Sequence, residues 1–179
     1  MDTARADMET AKRALSGRDA RSSVEEGRAQ QLVQEGKLAE ATTAYRTAAS
    51  FYRDAAQRES EQREENERQA IRACLGRYKA AYERKDMAAM RAAFPNLSGI
   101  EENAVRINLE TARLIQITLV VTEIQVSGEV ARAATRQQLN VRTTDNKTVQ
   151  SPQTSIVFNL RKRDGSWVID SIIRPVDVQ

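Results

Sequence analysis

The chain has 179 residues, 40% of them hydrophobic, with 28 Lys and Arg against 25 Asp and Glu, one cysteine and no histidine. That length suits one ordinary domain, or a domain of roughly 100 residues with a smaller helical appendage. The charge is −2 over residues 1–70 and +5 over 71–179, too mild and too mixed with acids for a nucleic-acid footprint, while unclustered acids without histidine or a cysteine pair give no basis for a metal or other cofactor.

The periodicity of apolar positions changes along the chain. It follows a three-to-four-residue spacing up to about residue 110 and alternates every two residues from 114 to 174. A helical half is therefore expected to precede a strand-rich one.

Ala4, Met8, Ala11 and Leu15 share one helix face, and Ser16-Gly17 supplies a stop. A second helix is expected from Ser23, as N-cap with Glu25 and Glu26 in the first turn, to a break at Gly36. Beyond it Leu38, Ala41, Tyr45, Ala48, Tyr52 and Ala55 recur at heptad-like intervals. Large and small residues alternate along this seam, as they do where two antiparallel helices pack closely.

Ala29, Leu32, Gly36, Ala41, Tyr45 and Ala48 resemble the small, large, glycine, alanine and aromatic positions of one tetratricopeptide hairpin. Glu25, Arg28 and Arg53 depart from that pattern. The resemblance implies a protein partner for the helical half, with Tyr45 and Tyr52 as interaction candidates. A solenoid needs about three repeats to bury a continuous core, so a small helical bundle that spaces or docks the next domain is the plainer reading.

Residues 58–68 are almost wholly charged or polar, with Glu59–Arg63 and Glu64–Arg68 at helical pairing distance. They read as a solvated helical connector that runs into the next helix as one rod of about 40 residues. The expected division is thus 1–57 helical hairpin or bundle, 58–70 connector, and 71–179 mixed domain.

In the mixed half Ile71, Cys74, Leu75, Tyr78, Ala81 and Tyr82 define an amphipathic helix ending near Lys85-Asp86. Cys74 reads as a buried structural thiol because no histidine is present to activate it. Asp86 is expected to cap a short helix through Phe94, and Ser98 a third over about 99–111. Four strands are expected at 114–126, 130–143, 154–163 and 166–173, with Asp164-Gly165 as a primed hairpin turn.

Helices followed by an antiparallel meander predict an α+β fold with the helices on one face of a curved sheet. Ile71-x6-Tyr78-x3-Tyr82-x3-Asp86 opening the helices, and Leu160-Arg161-Lys162-Arg163-Asp164-Gly165-Ser166-Trp167-Val168-Ile169 closing the sheet, resemble the nuclear transport factor 2-like superfamily. The narrower likeness is to its SnoaL-like and ketosteroid-isomerase-like cone folds. It implies a pocket between helices and sheet and association as a homodimer through the sheet.

Tyr78 and Tyr82 stand on the helix that would reach such a pocket, although aromatic residues at this spacing are more often packing residues. An isomerase also needs a carboxylate base. Asp86 is better explained as a cap, and Asp170 alternates away from Trp167 and Ile169, together with Val168 and Ile172, so no catalytic residue is assigned.

Arg132, Arg136, Gln138, Asn140 and Arg142 share one face of the second strand. That face is either a polar pocket wall, an outer surface or a wet dimer interface. The pocket candidates are therefore Tyr78, Tyr82, Arg132, Arg136 and Trp167, with a small hydrophobic or anionic ligand in view.

The absence of a membrane-length apolar stretch and of a basic-then-apolar opening predicts no membrane insertion by this chain. The expected function is a non-enzymatic interaction or ligand-sensing module, of the kind attached to larger bacterial signalling or envelope proteins. The alternatives are a small-molecule isomerase, cyclase or dehydratase, and a peptide-binding adaptor using the face around Tyr45 and Tyr52.

Overall fold

The computed structural model describes residues 1–97 and 99–174, and within these every side chain but those of Ile100 and Glu101. It divides into two compact units, Met1–Glu65 and Asn66–Gln179. The helices are α1 (Asp2–Arg13), α2 (Ala20–Gln34), α3 (Leu38–Glu83), α4 (Met87–Ala93) and α5 (Gly99–Thr111), followed by β1 (Ala112–Ser127), β2 (Val130–Thr143), β3 (Thr148–Gln150), β4 (Thr154–Arg163) and β5 (Ser166–Ile173). The residues of the charged connector are continuous helix within the 46 residues of α3.

The first unit contains α1, α2 and the start of α3. Ala4, Met8 and Ala11 of α1 meet Ala29 and Leu32 of α2 and the Ala41, Tyr45, Ala48 and Tyr52 seam of α3 in one buried cluster. Tyr45 and Tyr52 are 4% and 3% exposed, so their rings are core and offer no docking face. At the other extreme Leu38, the expected start of the seam, is 52% exposed.

Helix α2 begins earlier than Ser23. Asp19 is its N-cap, accepting from the Ser22 backbone N–H at 2.8 Å and the Ser22 hydroxyl at 2.6 Å, and Ser23 Oγ donates back to the Asp19 carbonyl at 2.9 Å. A carboxylate placed just before the first turn satisfies orphan N–H groups and faces the positive end of the helix dipole. The helix closes as expected at Gly36, with φ +75°. Lys37 N–H donates to Leu32 and Gly36 N–H to Val33, the paired bonds of a Schellman motif.

Glu26 ties the three helices together, accepting from Lys12 Nζ at 2.8 Å and Tyr52 Oη at 2.7 Å. Burial alone would raise its pKa, but the hydrogen bonds from Lys12 and Tyr52 outweigh burial and hold the carboxyl below its ordinary range.

In the second unit the sheet is antiparallel in the order β1-β2-β4-β5, with β3 paired to the far end of β2. The short β3 falls within a segment expected to be loop. Between β4 and β5 Asp164 and Gly165 have φ +50° and +75°, the two positive values of the expected primed turn. Asp86 caps α4 as expected, accepting from the Ala89 N–H at 2.9 Å. Ser98, the expected cap of α5, lies outside the described residues.

One face of the sheet is buried by the helices. Ile71, Leu75 and Tyr78 of α3, with Met90 and Leu109 of the shorter helices, join Ile115, Ala133, Phe158, Leu160 and Ile169 in a single core. Cys74 is fully buried there, and burial pushes its thiol pKa up, which agrees with a packing role.

Three register shifts break the strict alternation, the first leaving Arg113 extra between Ala112 and Leu114 at the start of β1. Val121 pairs with Thr135 and Glu123 with Ala134, which leaves Thr122 extra in β1. Leu160 pairs with Ile169 and Asn159 with Ser171, which leaves Asp170 extra in β5. The bulge at Asp170 corrects the expected placement of Ile172: instead of sharing a face with Val168, it stands opposite Phe158 and packs against the core. One inserted residue reverses the side-chain parity of everything after it.

The free edge of β1 is partly covered by the end of α3 and the residues after it. The Ile117 N–H donates to Glu83 Oε1 at 2.9 Å, and Lys85 Nζ donates to the Ala112 carbonyl at 2.9 Å. Side chains thus satisfy edge groups that would otherwise invite another strand.

Candidate functional site: a cavity between helices and sheet

A cavity of about 300 Å³ lies between the helices and the inner face of the sheet. Phe94, Leu97, Val105, Leu139, Ile156 and Ile172 give it an apolar wall. Tyr78 and Tyr82, one helical turn apart on α3, add two tilted rings with centroids 6.2 Å apart. Tyr78 also meets Phe158 edge-on at 5.5 Å, so this ring is held by the core while lining the cavity.

The polar part of the lining is small. Asn108 Nδ2 donates to Tyr82 Oη at 3.4 Å. Ser151 Oγ accepts from the Leu139 N–H at 2.9 Å, and its own proton goes to the Pro152 carbonyl at 3.0 Å. Gln137 and Arg174 complete the set of strong donors. Arg174 is the one charged residue among the described lining residues, and none of these is a carboxylate.

Three of the acids near these elements in sequence are engaged elsewhere among the described residues. Glu83 holds the Ile117 N–H of the β1 edge, and Asp86 holds the start of α4. Asp170, at the β5 bulge, accepts from Asn96 Nδ2 at 2.8 Å and lies 3.7 Å from Arg161 Nε.

The sequence candidates do not converge on one site. Tyr78 and Tyr82 line the cavity. Arg132 and Arg136 are exposed and alternate with inward-facing Ala133 and Thr135, so they stand on the opposite face of the sheet. Trp167 lines a separate groove with Glu67, Ala73, Arg77 and Lys162.

In that groove the Trp167 indole N–H donates to Glu67 Oε2 at 2.7 Å, and Lys162 Nζ bonds the other carboxylate oxygen. Lys162 lies 5.2 Å from the indole centroid, within cation–π range. The hydrogen bonds from Lys162 and then Trp167 hold the Glu67 carboxyl below its ordinary range. These groups neutralise one another, so the cluster joins β4 and β5 to α3. Among the described residues no group of acids, histidines and cysteines is arranged to hold a metal ion.

Sequence reasoning missed Gln137, Asn108, Ile172 and Arg174. The parity of β2 does place Gln137 with Thr135 and Leu139, so its inward direction was readable. Ile172 was hidden by the bulge, and Arg174 lies beyond the last strand, where alternation says nothing.

Helices covering one face of an antiparallel sheet, with an amphipathic cavity between them, define an α+β domain with an internal chamber. No protein-family model matches the sequence and no curated protein matches it. Solved structures do match. A conserved protein from Planctomyces limnophilus is 15% identical, with a TM-score of 0.53 over 62% of this chain and 98% of its own. A nuclear transport factor 2-like superfamily protein from Salmonella enterica serovar Typhimurium is 17% identical, with a TM-score of 0.51 over 62% and 92%. A provisionally named dehydratase of that family from Streptomyces avermitilis is 13% identical, with a TM-score of 0.50 over 62% and 96%. The chain carries the nuclear transport factor 2-like fold, preceded by a helical part.

Proposed function

We propose that this chain is a non-enzymatic ligand-sensing and assembly module, of the kind that serves a larger bacterial signalling or envelope protein. The observation that carries this reading is the composition of the cavity. Its described lining pairs a largely apolar wall with two tyrosines and neutral hydrogen-bonding groups, and contains no acid or histidine to act as a base. Abstraction of a proton beside a carbonyl requires such a base within hydrogen-bond reach of the substrate. Binding requires only shape, an apolar wall and a few placed polar groups.

The assembly part of the proposal rests on the outer face of the sheet. Val120 and Ile173 are each 48% exposed and Leu114 is 47% exposed, among Arg132, Arg136 and Gln138. An apolar and polar mixture of this sort suits a homodimer interface better than a catalytic surface. The first unit, built around a hairpin with tetratricopeptide-like spacing, is proposed to dock or space a protein partner through its exposed faces, since Tyr45 and Tyr52 are buried.

Native mass spectrometry tests the assembly part. The expected spectrum is a dimer that becomes monomeric in Val120→Arg, whose new charge would stand opposite Arg136 in the β1–β2 register. A wild-type monomer at tens of micromolar, on the order of a weak interface, would refute the dimer.

The runner-up reading is an isomerase, cyclase or dehydratase in which a tyrosine polarises a carbonyl, and the dehydratase name of one structural neighbour favours it. It requires catalysed deuterium exchange beside a ketone carbonyl. Exchange that disappears in Tyr82→Phe would replace the sensing proposal with this one.

A further inference from the structure

The cavity has a chemical bias that narrows its ligand. Among its described lining residues the one formal charge is the guanidinium of Arg174. No carboxylate among the described residues pairs with that guanidinium, whereas cations elsewhere do find acids, as in Lys12–Glu26 and Arg161–Asp170.

The neutral groups share this bias toward donation. Tyr82 Oη accepts from Asn108, which leaves its own O–H proton to be given to a ligand. Gln137 adds a side-chain amide on the same inner face as Leu139. By contrast, Ser151 and Thr154 direct their hydroxyl protons to the Pro152 carbonyl at 3.0 and 3.4 Å. The apolar wall of Leu97, Val105, Ile156 and Ile172 asks for a hydrocarbon body.

We infer that the cavity selects a small amphipathic monocarboxylate, its hydrocarbon portion against the apolar wall and its carboxylate toward Arg174. This rests on the ligand-binding reading above and names the ligand class. Size limits it further: about 300 Å³, at the ~30 Å³ that one liquid water occupies, admits a molecule of about ten non-hydrogen atoms. Medium-chain fatty acids and arylacetic acids are of this size. A carboxylate also matches the planar donor fork of arginine better than a point charge would.

The test titrates the full chain with octanoate and with octanamide, a neutral molecule of the same size, while methyl NMR signals of Leu139, Ile156 and Ile172 report occupancy of the cavity. Octanoate is expected to bind more tightly than octanamide, and Arg174→Gln to weaken octanoate about tenfold while leaving octanamide unchanged. Raising the salt concentration should likewise weaken octanoate alone.

Equal binding of acid and amide, or an octanoate affinity unmoved by Arg174→Gln, would overturn the carboxylate assignment while leaving the cavity a binding site. If neither compound shifts these methyl signals at millimolar concentration, on the order of the weakest specific affinities, the ligand-binding reading falls with it. Arg174 is exposed, so its replacement leaves the core intact and the outcome reads on binding.

Discussion

Replacing Glu67 with alanine should loosen the join between α3 and the last hairpin by a measurable amount. Glu67 accepts from the indole N–H of Trp167 at 2.7 Å and from Lys162. Trp167 is 2% exposed, so its orphaned N–H would lose about 1–3 kcal/mol. The Lys162 pair is worth less, because the Glu67 and Lys162 side chains are 33% and 26% exposed and solvent screens them to about 1 kcal/mol or below. A loss of about 2 kcal/mol follows, which for a unit of this size lowers the melting temperature by about 8 °C.

Trp167 is the single tryptophan, so its fluorescence reports this unit during urea or thermal unfolding. The pH dependence has a fixed sign. The folded Glu67 carboxyl lies below its ordinary value of 4.5, so its contribution is complete above that value and is lost as the pH falls through the folded one. Wild type should therefore lose stability more steeply than Glu67→Ala as the pH falls below about 4.5. A loss under about 0.5 kcal/mol, with an unchanged emission maximum, would refute the reasoning.

Two further substitutions probe the other unit and the hairpin. Tyr45→Ala removes a 4% exposed ring from the helical core and should destabilise the first unit by about 3 kcal/mol, read as early loss of helical circular dichroism; unchanged unfolding would show that the ring is not core. Gly165→Ala meets no atom within 4 Å but requires φ +75°, so it should lower stability by about 1 kcal/mol from backbone strain alone, whereas Gly76→Ala, equally open and helical, should raise stability by up to about 1 kcal/mol in the same thermal melt.

Much of the fold was legible because each element repeats its signal. The four long strands alternate over 8 to 16 residues, and a turn such as Asp164-Gly165 marks its own place chemically. Single-residue events were not legible. Asp19 and Ser23 are both good caps, and only the folded chain shows that Asp19 captures the buried Ser22 while Ser23 bonds backward. The three-residue β3 is too short for alternation to register. Ile172 was assigned to the wrong face because the Asp170 bulge leaves no mark in residue type.

The candidate site followed the same division. Tyr78 and Tyr82 sit on a long helix whose buried face was evident, and both line the cavity. Arg132 and Arg136 were correctly grouped with Gln138 by parity, but alternation separates two faces without saying which one the helices cover. Burial of Ala131, Ala133 and Thr135 decides it.

The distribution of acids in the second unit connects this architecture to the proposed chemistry. Glu67, Glu83, Asp86 and Asp170 each occupy a place where the fold presents a donor: an indole and a lysine, an edge N–H, a helix start, and an asparagine amide. Turning one of these carboxylates into the cavity would leave those donors unsatisfied. The fold thus keeps these four acids out of a chamber whose described lining is apolar, neutral or positive. On the proposed reading, none of these four supplies a general base to a ketone in the cavity, and none repels an anionic ligand there. Deuterium exchange and octanoate binding should therefore move in opposite directions: a chain that binds the acid through Arg174 should show no exchange, and one that catalyses exchange must draw its base from a residue other than these four.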